Sequence, residues 1–285
     1  MIRYPRRGDG VPRPPQPLRG GKEGSARKER EKNATHLAAA EHDKVKFGLY
    51  KHDDVRQALH QLFGRKCVFC ESSLLGSQPG DIEHYRPKGK ASVIDPVTGA
   101  HTQASDGYPW LAASWNNLLL SCADCNRPRR QADGEGAVRV LGKGCLFPLP
   151  AGQQHADTPW GVLKEKALLL NPRRDDPDQH LLFTDEGGIV PLPGDAGGRS
   201  ERGAATIACC GLDRAELVQM RQRHGRTVRA AIRHIILALE QDREPQDDLD
   251  DLVELLKPHS PYVAYTRHLV RRHLAPYLTA LNLAF

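Results

Sequence analysis

Four cysteines in two pairs, Cys67-Val68-Phe69-Cys70 and Cys122-Ala123-Asp124-Cys125, carry the strongest chemical signal in the chain. Two residues between thiolates let both sulfurs face one ion from a tight knuckle, and four thiolates complete the tetrahedron that Zn²⁺ accepts. One such pair is also the spacing of a redox dithiol, but two pairs in one short region favour a metal. A site closed by four cysteines leaves no coordination position open, so this zinc is expected to be structural. Cys145, Cys209 and Cys210 complete the seven cysteines. They read as small core residues, with the adjacent Cys209-Cys210 also open to oxidation. Three further pieces lie between and beside the knuckles: Asp81-Ile82-Glu83-His84, Trp115-Asn116-Asn117-Leu118 and Cys125-Asn126-Arg127. Taken singly, each has a plain structural reading: a satisfied histidine, a turn asparagine and a helix-capping asparagine.

Their order is more telling than any one of them. A carboxylate–histidine pair, then an asparagine, then an asparagine directly after the last cysteine, resembles the HNH, or ββα-metal, endonuclease family. The resemblance implies a hairpin and a helix that grip one divalent cation. In a strand Glu83 and His84 face opposite ways, so one can hold a metal while the other addresses water. His84 would be the general base, since neutral imidazole near pH 7 takes a proton from an attacking water. Glu83 and Asn126, the latter at the start of a helix, would hold the cation that neutralises the scissile phosphate. Oxygen donors favour Mg²⁺ or Mn²⁺ there. By the same resemblance Asn117 fixes the loop carrying the histidine through backbone hydrogen bonds, and Asp81 supports the metal from behind. The family usually has Asp or His before its histidine; this chain has Glu83, one methylene longer.

The likeness extends beyond those residues. Cys67-x-x-Cys70-Glu71, Ile82-Glu83-His84-Tyr85-Arg86-Pro87-Lys88, Tyr108-Pro109-Trp110-Leu111-Ala112 and Asn117-Leu118-Leu119-Leu120-Ser121-Cys122 are similar to the Septu-type (PtuB-like) HNH nucleases of bacterial anti-phage systems, a family also found with some retrons. Weaker matches continue through Leu146-Phe147-Pro148-Leu149, Leu169-Leu170-Asn171-Pro172, Asp175-Asp176-Pro177, Thr206-Ile207 and Gly211-Leu212-Asp213-Arg214. This resemblance implies an effector that works with an ATPase partner. The chain has no Walker-type phosphate loop, so ATP dependence would come from a separate subunit.

The expected fold is α+β: a zinc-stabilised ββα-metal core flanked by helices, with a mainly helical C-terminal region. Residues 1–33, rich in Arg, Lys, Pro and Gly, read as an extended or disordered arm. Residues 34–150 hold the nuclease core, and 151–285 a turn-rich segment followed by helices. A helical stretch is expected from about Asn33 to Phe63. Its clearest part has Asp54 as N-cap, Val55, Leu59, Leu62 and Phe63 on one face, and Gly64 as the stop. Ala167 to Leu170 reads as a short strand. Leu181–Thr184 and Ile189–Leu192 read as a hairpin across Gly187-Gly188. Asp213 and Glu216 suggest a capping box. Val228, Ile232, Ile235, Ile236 and Leu239 share one helical face, and two more helices are expected over Leu249–Leu256 and Pro261–Leu281.

A net charge of +6 and an isoelectric point of about 9.0 favour an acidic partner, and nucleic acid is the usual one. Arg86, Lys88, Lys90, Arg127, Arg129 and Arg130 flank the site and are candidate phosphate contacts. Trp110 and Trp115 are expected to pack the core rather than stack on bases. No apolar run approaches the ~20 residues that cross a bilayer, and the basic N-terminus lacks the apolar stretch of a secretory signal, so a cytoplasmic protein is expected. The leading functional reading is a metal-dependent endonuclease cutting DNA, with RNA the other candidate substrate. The alternative is a zinc-stabilised nucleic-acid or protein-binding module without catalysis, which would need neither Glu83, His84 nor Asn126.

Overall fold

The computed structural model describes residues 1–4, 11–19, 24–76, 78–94, 100–194, 197–279, 281 and 283. The chain opens with helix α1 (Ser25–Ala38) and continues to α2 (Asp53–Phe63). α2 buries Val55, Leu59, Leu62 and Phe63 and stops at Gly64, whose φ of 61° is the left-handed conformation that ends helices. Its N-cap is His52, whose ring nitrogen accepts from the Asp54 amide; Asp54 itself lies inside the first turn. Carboxylates there still suit the helix dipole, which is why both positions read alike from sequence.

The expected continuous helix from 33 to 63 is broken. Buried Asn33 closes a pair of hydrogen bonds with Lys46, donating to its carbonyl (2.8 Å) and accepting from its amide (3.1 Å). Glu29 accepts from the amides of Gly48 and Leu49. These side-chain bonds fold the 46–49 segment back along α1. The reading of residues 1–33 as an arm is also corrected. Residues 25–33 belong to α1, while Met1, Ile2, Tyr4 and Leu18 are buried in the main core. The Tyr4 ring meets Phe63 edge-on at 4.9 Å, and its amide donates to Pro172 O. A low average hydropathy hides four well-placed apolar side chains.

Two-stranded antiparallel ribbons fill the middle of the chain. Strand β1 (Asp81–His84) pairs with β4 (Leu118–Ser121), and β2 (Ala91–Ile94) with β3 (His101–Ser105). A single helical turn, α3 (Ala123–Asn126), follows β4 and leads to β5 (Arg129–Ala132), which pairs with β6 (Val138–Leu141). The register of the first ribbon sets Asp81 opposite Ser121, Glu83 opposite Leu119 and His84 opposite Leu118. Every residue of β4 is buried, since α2 packs on the ribbon. The Val68 amide donates to Leu120 O at 3.0 Å and so ties the first cysteine knuckle to the same strand.

The hairpin of β7 (Leu181–Phe183) and β8 (Ile189–Pro191) lies where the sequence indicates. Ala167 to Leu170 joins no sheet among the described residues; the Leu168 amide goes to Pro148 O and that of Leu170 to the Thr206 hydroxyl. Four α-helices follow among the described residues: α4 (Glu201–Cys210), α5 (Ala215–Glu240), α6 (Gln246–Leu256) and α7 (Val263–His273). Arg214, not Asp213, is the N-cap of α5, and no side chain caps it. Leu217, Arg221, Val228, Ile232, Ile235 and Ala238 form the buried face of α5, with Ile236 and Leu239 packed at its edge. α7 ends earlier than its periodicity suggests because Pro276 lacks an amide donor and disfavours helix in the residue before it. One hydrophobic cluster runs from Met1 to Leu274, so the division at residue 150 separates no two cores. Trp115, Cys209 and Cys210 are buried in the structure, Trp110 packs against the core and Cys145 is half-buried.

Gly142, after β6, has a φ of 119°, and a Cβ there would lie 2.4 Å from Arg127 O. Only glycine lets this turn pass so close beneath α3. Gly142→Ala is therefore expected to lower unfolding free energy by ~2 kcal/mol or more in a urea titration. Gly136 of the same hairpin has a φ of 87° with nothing within 4 Å. Gly136→Ala carries the backbone strain alone and should cost about 1 kcal/mol.

Candidate metal centre and ribbon site

The four knuckle sulfurs lie within 4.8 Å of one another, and all four cysteines are buried. Cys70 Sγ and Cys122 Sγ are 3.7 Å apart, close to the roughly 3.8 Å edge of a tetrahedron built from ~2.3 Å zinc–sulfur bonds. The donor set therefore fits a closed zinc site. Cys122 caps α3, its sulfur accepting from the Cys125 amide at 3.4 Å. Neighbouring cysteine thiols, Cys122 foremost, hold Cys70 well below the usual thiol range.

Four thiolates around Zn²⁺ leave two net negative charges, which burial makes costly unless they are paired. Two guanidinium groups supply the balance. Arg214 is buried at the head of α5 and donates from Nη1 to Cys125 Sγ at 3.5 Å and to Gly211 O at 2.8 Å. Burial opposes its charge, but Cys125, Cys70 and Cys122 outweigh it and raise its pKa. Arg221, two turns further along α5, is held by Gly187 O and Leu212 O. Burial brings it down to about 10, so it stays charged near neutrality. Both come from the helical C-terminal region. Arg214 closes the Gly-Leu-Asp-Arg run that sequence matching singles out, whereas nothing local marks Arg221.

Strand β1 presents two different faces beside this centre. On one, the His84 ring donates from Nε2 to Ala112 O at 3.0 Å. A carbonyl only accepts, so that nitrogen carries the hydrogen and Nδ1 keeps its lone pair. The ring is nearly enclosed, with Tyr50 edge-on at 4.6 Å. Burial, with the Lys88 ammonium, pushes the histidine down to about 3. Asn117 secures both ends of the loop that follows the strand. Its Oδ1 accepts from the Arg86 amide (2.8 Å), and its Nδ2 donates to Arg86 O (2.9 Å) and Leu111 O (3.2 Å).

The other face holds Asp81 and Glu83, and here the polar groups pair differently from the expected metal grouping. Glu83 is buried against Lys143, whose Nζ donates to Glu83 Oε1 at 2.6 Å. Burial lifts the Glu83 carboxyl, and Lys143 pulls against that rise. Asn126 ends α3 rather than starting a helix, and its Nδ2 donates to Asp81 Oδ2 at 3.0 Å. Arg127 grips the same carboxylate through two bonds of 2.9 and 2.8 Å and holds its pKa down. Glu83 and Asn126 thus belong to separate networks. Among the described residues, no second group of three His, Cys, Asp or Glu donors gathers around one point. Glu83 is paired with an ammonium and Asn126 is turned by its amide nitrogen toward Asp81, a pairing different from the shared cation grip that the HNH resemblance implies.

The flanking cations divide as well. Arg86 is no surface contact: it pairs with Glu165 at 2.8 Å and lies over the rings of Tyr85, Tyr108 and Phe147. Lys88 sits 5.0 Å from the Tyr50 ring centre, above the His84 pocket. Arg127, Lys90, Arg129 and Arg130 are exposed, with Arg127 engaged by Asp81 and Arg129 by Asp124. Sequence reasoning missed Lys143, Tyr50 and Arg221, none of which belongs to a motif.

These features define a mixed α/β protein built on a four-cysteine, zinc-competent centre, with a carboxylate–histidine ribbon beside it and helices around both. No family model matches the chain. It is 32% identical over 219 residues to Septu protein PtuB of Bacillus mycoides (strain KBAB4), covering 74% of this chain and 67% of that protein. A shorter match to PtuB of Bacillus thuringiensis, 32% over 82 residues, covers 28% of this chain and 25% of the relative. Septu protein PtuA of the B. mycoides strain is 28% identical over 167 residues, 57% of this chain but 20% of PtuA. The chain belongs to the Septu PtuB family. Among the described residues, no helix is long and apolar enough to cross a membrane.

Two outcomes follow from this electrostatic arrangement. Arg214→Met removes a charge that the thiolates need, and breaking a buried charge pair typically costs ~3–5 kcal/mol. Zinc should leave the variant faster in a chromogenic chelator assay, with Arg214→Lys intermediate. For His84, the folded pKa of about 3 lies below the unfolded value of 6.5. Between the two the unfolded chain binds the extra proton, so stability falls as pH drops through that window, by a total on the order of 5 kcal/mol. His84→Gln, which keeps a donor for Ala112 O, should show a shallower loss of urea stability from pH 7 to pH 5.

Proposed function

We propose that this chain is a phosphodiester-cleaving nuclease of a Septu-type anti-phage defence system, acting on DNA, with RNA as the second candidate substrate. One observation carries the reading: the orientation of His84. Its Nε2 is committed to Ala112 O, and the loop bearing that carbonyl is anchored by Asn117, so Nδ1 is left as a fixed, neutral base. A base held in one tautomer needs no reorganisation, and opening the pocket would relieve the burial that holds its pKa near 3 and so restore the basicity that proton abstraction needs. The pieces of the HNH resemblance support the assignment: His84 on a strand, the asparagine clamp beneath its loop and the cysteine knuckles behind it. No step is assigned to a divalent ion, because the Glu83 carboxylate is paired with Lys143.

The site is closed in the free chain. His84 is 4% exposed, and Tyr50, from the turn Leu49–Lys51, lies against its ring. A phosphodiester reaches Nδ1 only when that turn moves. Displacing it is a role suited to a partner, and the family membership supports a separate subunit, which we take to be the ATPase. The exposed cations Arg127, Arg129, Arg130 and Lys90, with half-buried Lys88, are the candidate phosphate contacts that remain; Arg86 is turned inward onto Glu165.

The reading is tested by incubating plasmid DNA and total RNA with wild type and His84→Ala, alone and with the ATPase partner. The expected result is cleavage that falls by about 10²-fold or more in His84→Ala, with zinc content and circular dichroism unchanged. Equal cleavage by both proteins would remove His84 as the base. No cleavage under any of these conditions would favour a zinc-stabilised binding module.

A further inference from the structure

The carboxylate of Glu83 already has a cation. Lys143 is fully buried, and its ammonium donates to Glu83 Oε1 (2.6 Å), to His84 O (2.8 Å) and to Gly144 O (3.4 Å). Those three oxygens match the three donors of an ammonium group. One carboxylate and two carbonyls are also the kind of oxygen cage in which a hard divalent ion would sit.

The lysine is delivered there by its backbone. Its amide donates to Cys125 O at 2.8 Å, and that of Gly144 to Asn126 O at 2.6 Å. Gly142 brings the chain close under Arg127 O. The 142–144 turn is thereby fastened to the second cysteine knuckle, and the Lys143 side chain spans from there to β1. Asn126, the other expected ligand, gives its amide nitrogen to Asp81.

We infer that the Lys143 ammonium is the resident cation of Glu83, and that its presence excludes a divalent ion from this carboxylate in the folded chain. A divalent ion would have to share the cage with a like charge or drive a buried ammonium out of a site that satisfies all its donors. Both are costly at full burial. Within the nuclease reading, Lys143 is a positioning residue: its bond to His84 O holds the strand end that carries the base. The inference itself concerns cation binding, so it stands or falls apart from any activity.

The test is titration of the zinc-loaded full chain with Mn²⁺, reading free Mn²⁺ by electron paramagnetic resonance. Wild type and Glu83→Gln are expected to give the same curve, with no site that depends on Glu83. Lys143→Ala should gain one site, bound at least tenfold more tightly than in Lys143→Ala/Glu83→Gln, with zinc content checked in each. A wild-type site that Glu83→Gln weakens tenfold overturns the inference, whether or not Lys143→Ala folds. A folded, zinc-loaded Lys143→Ala that gains no such site overturns the exclusion by the ammonium.

Discussion

Four buried sulfurs form the constraint on which the rest of the structure depends. They join segments more than fifty residues apart, and their charge when metallated must be answered from elsewhere in the chain. The answer comes from α5, where Arg214 donates to Cys125 and buried Arg221 adds a second charge near the cluster. This couples the C-terminal helices to the knuckles electrostatically, while the shared apolar core couples them by packing. A knuckle pair in a small zinc module stands on its own metal; here it is embedded, and its net charge is balanced by the body of the protein.

The β1–β4 ribbon inherits its geometry from that centre. Val68 bonds into β4, and Lys143, whose amide bonds to Cys125, holds the Glu83 face of β1, so the ribbon is tied to both knuckles. The face bearing His84 is kept neutral by burial and by the nearby Lys88. The face bearing Glu83 is kept charge-paired by Lys143. Neighbouring residues on one strand thus meet opposite electrostatic environments, a neutral histidine on one face and a charge-paired carboxylate on the other.

Closure of the histidine pocket involves the part of the chain that composition dismissed. Residues 46–49 are folded back onto α1 by Asn33 and Glu29, which brings Tyr50 to the ring of His84. Met1, Ile2 and Tyr4 are buried in the core, with Tyr4 edge-on against Phe63 of α2. The N-terminal segment therefore contributes both to the core and to access at the site, and a partner acting on the 49–51 turn would act on the histidine directly.

What the sequence alone determined were features set by short-range spacing. The two cysteine knuckles, the apolar face of α2 with its Gly64 stop, the β7–β8 hairpin and the buried stripe of α5 each follow from a period or a tight turn within a few residues. The positions of His84 on a strand and Asn117 in the loop-anchoring turn were legible for the same reason. Tertiary structure alone decided which polar group answers which. Glu83 meets Lys143 across 60 residues, Asn126 meets Asp81 across 45, and Arg214 meets Cys125 across 89. A carboxylate beside a histidine reads as a metal ligand until the fold shows the ammonium already there. Burial forces each charge to find a partner, and the sequence does not say which distant partner the packing will bring.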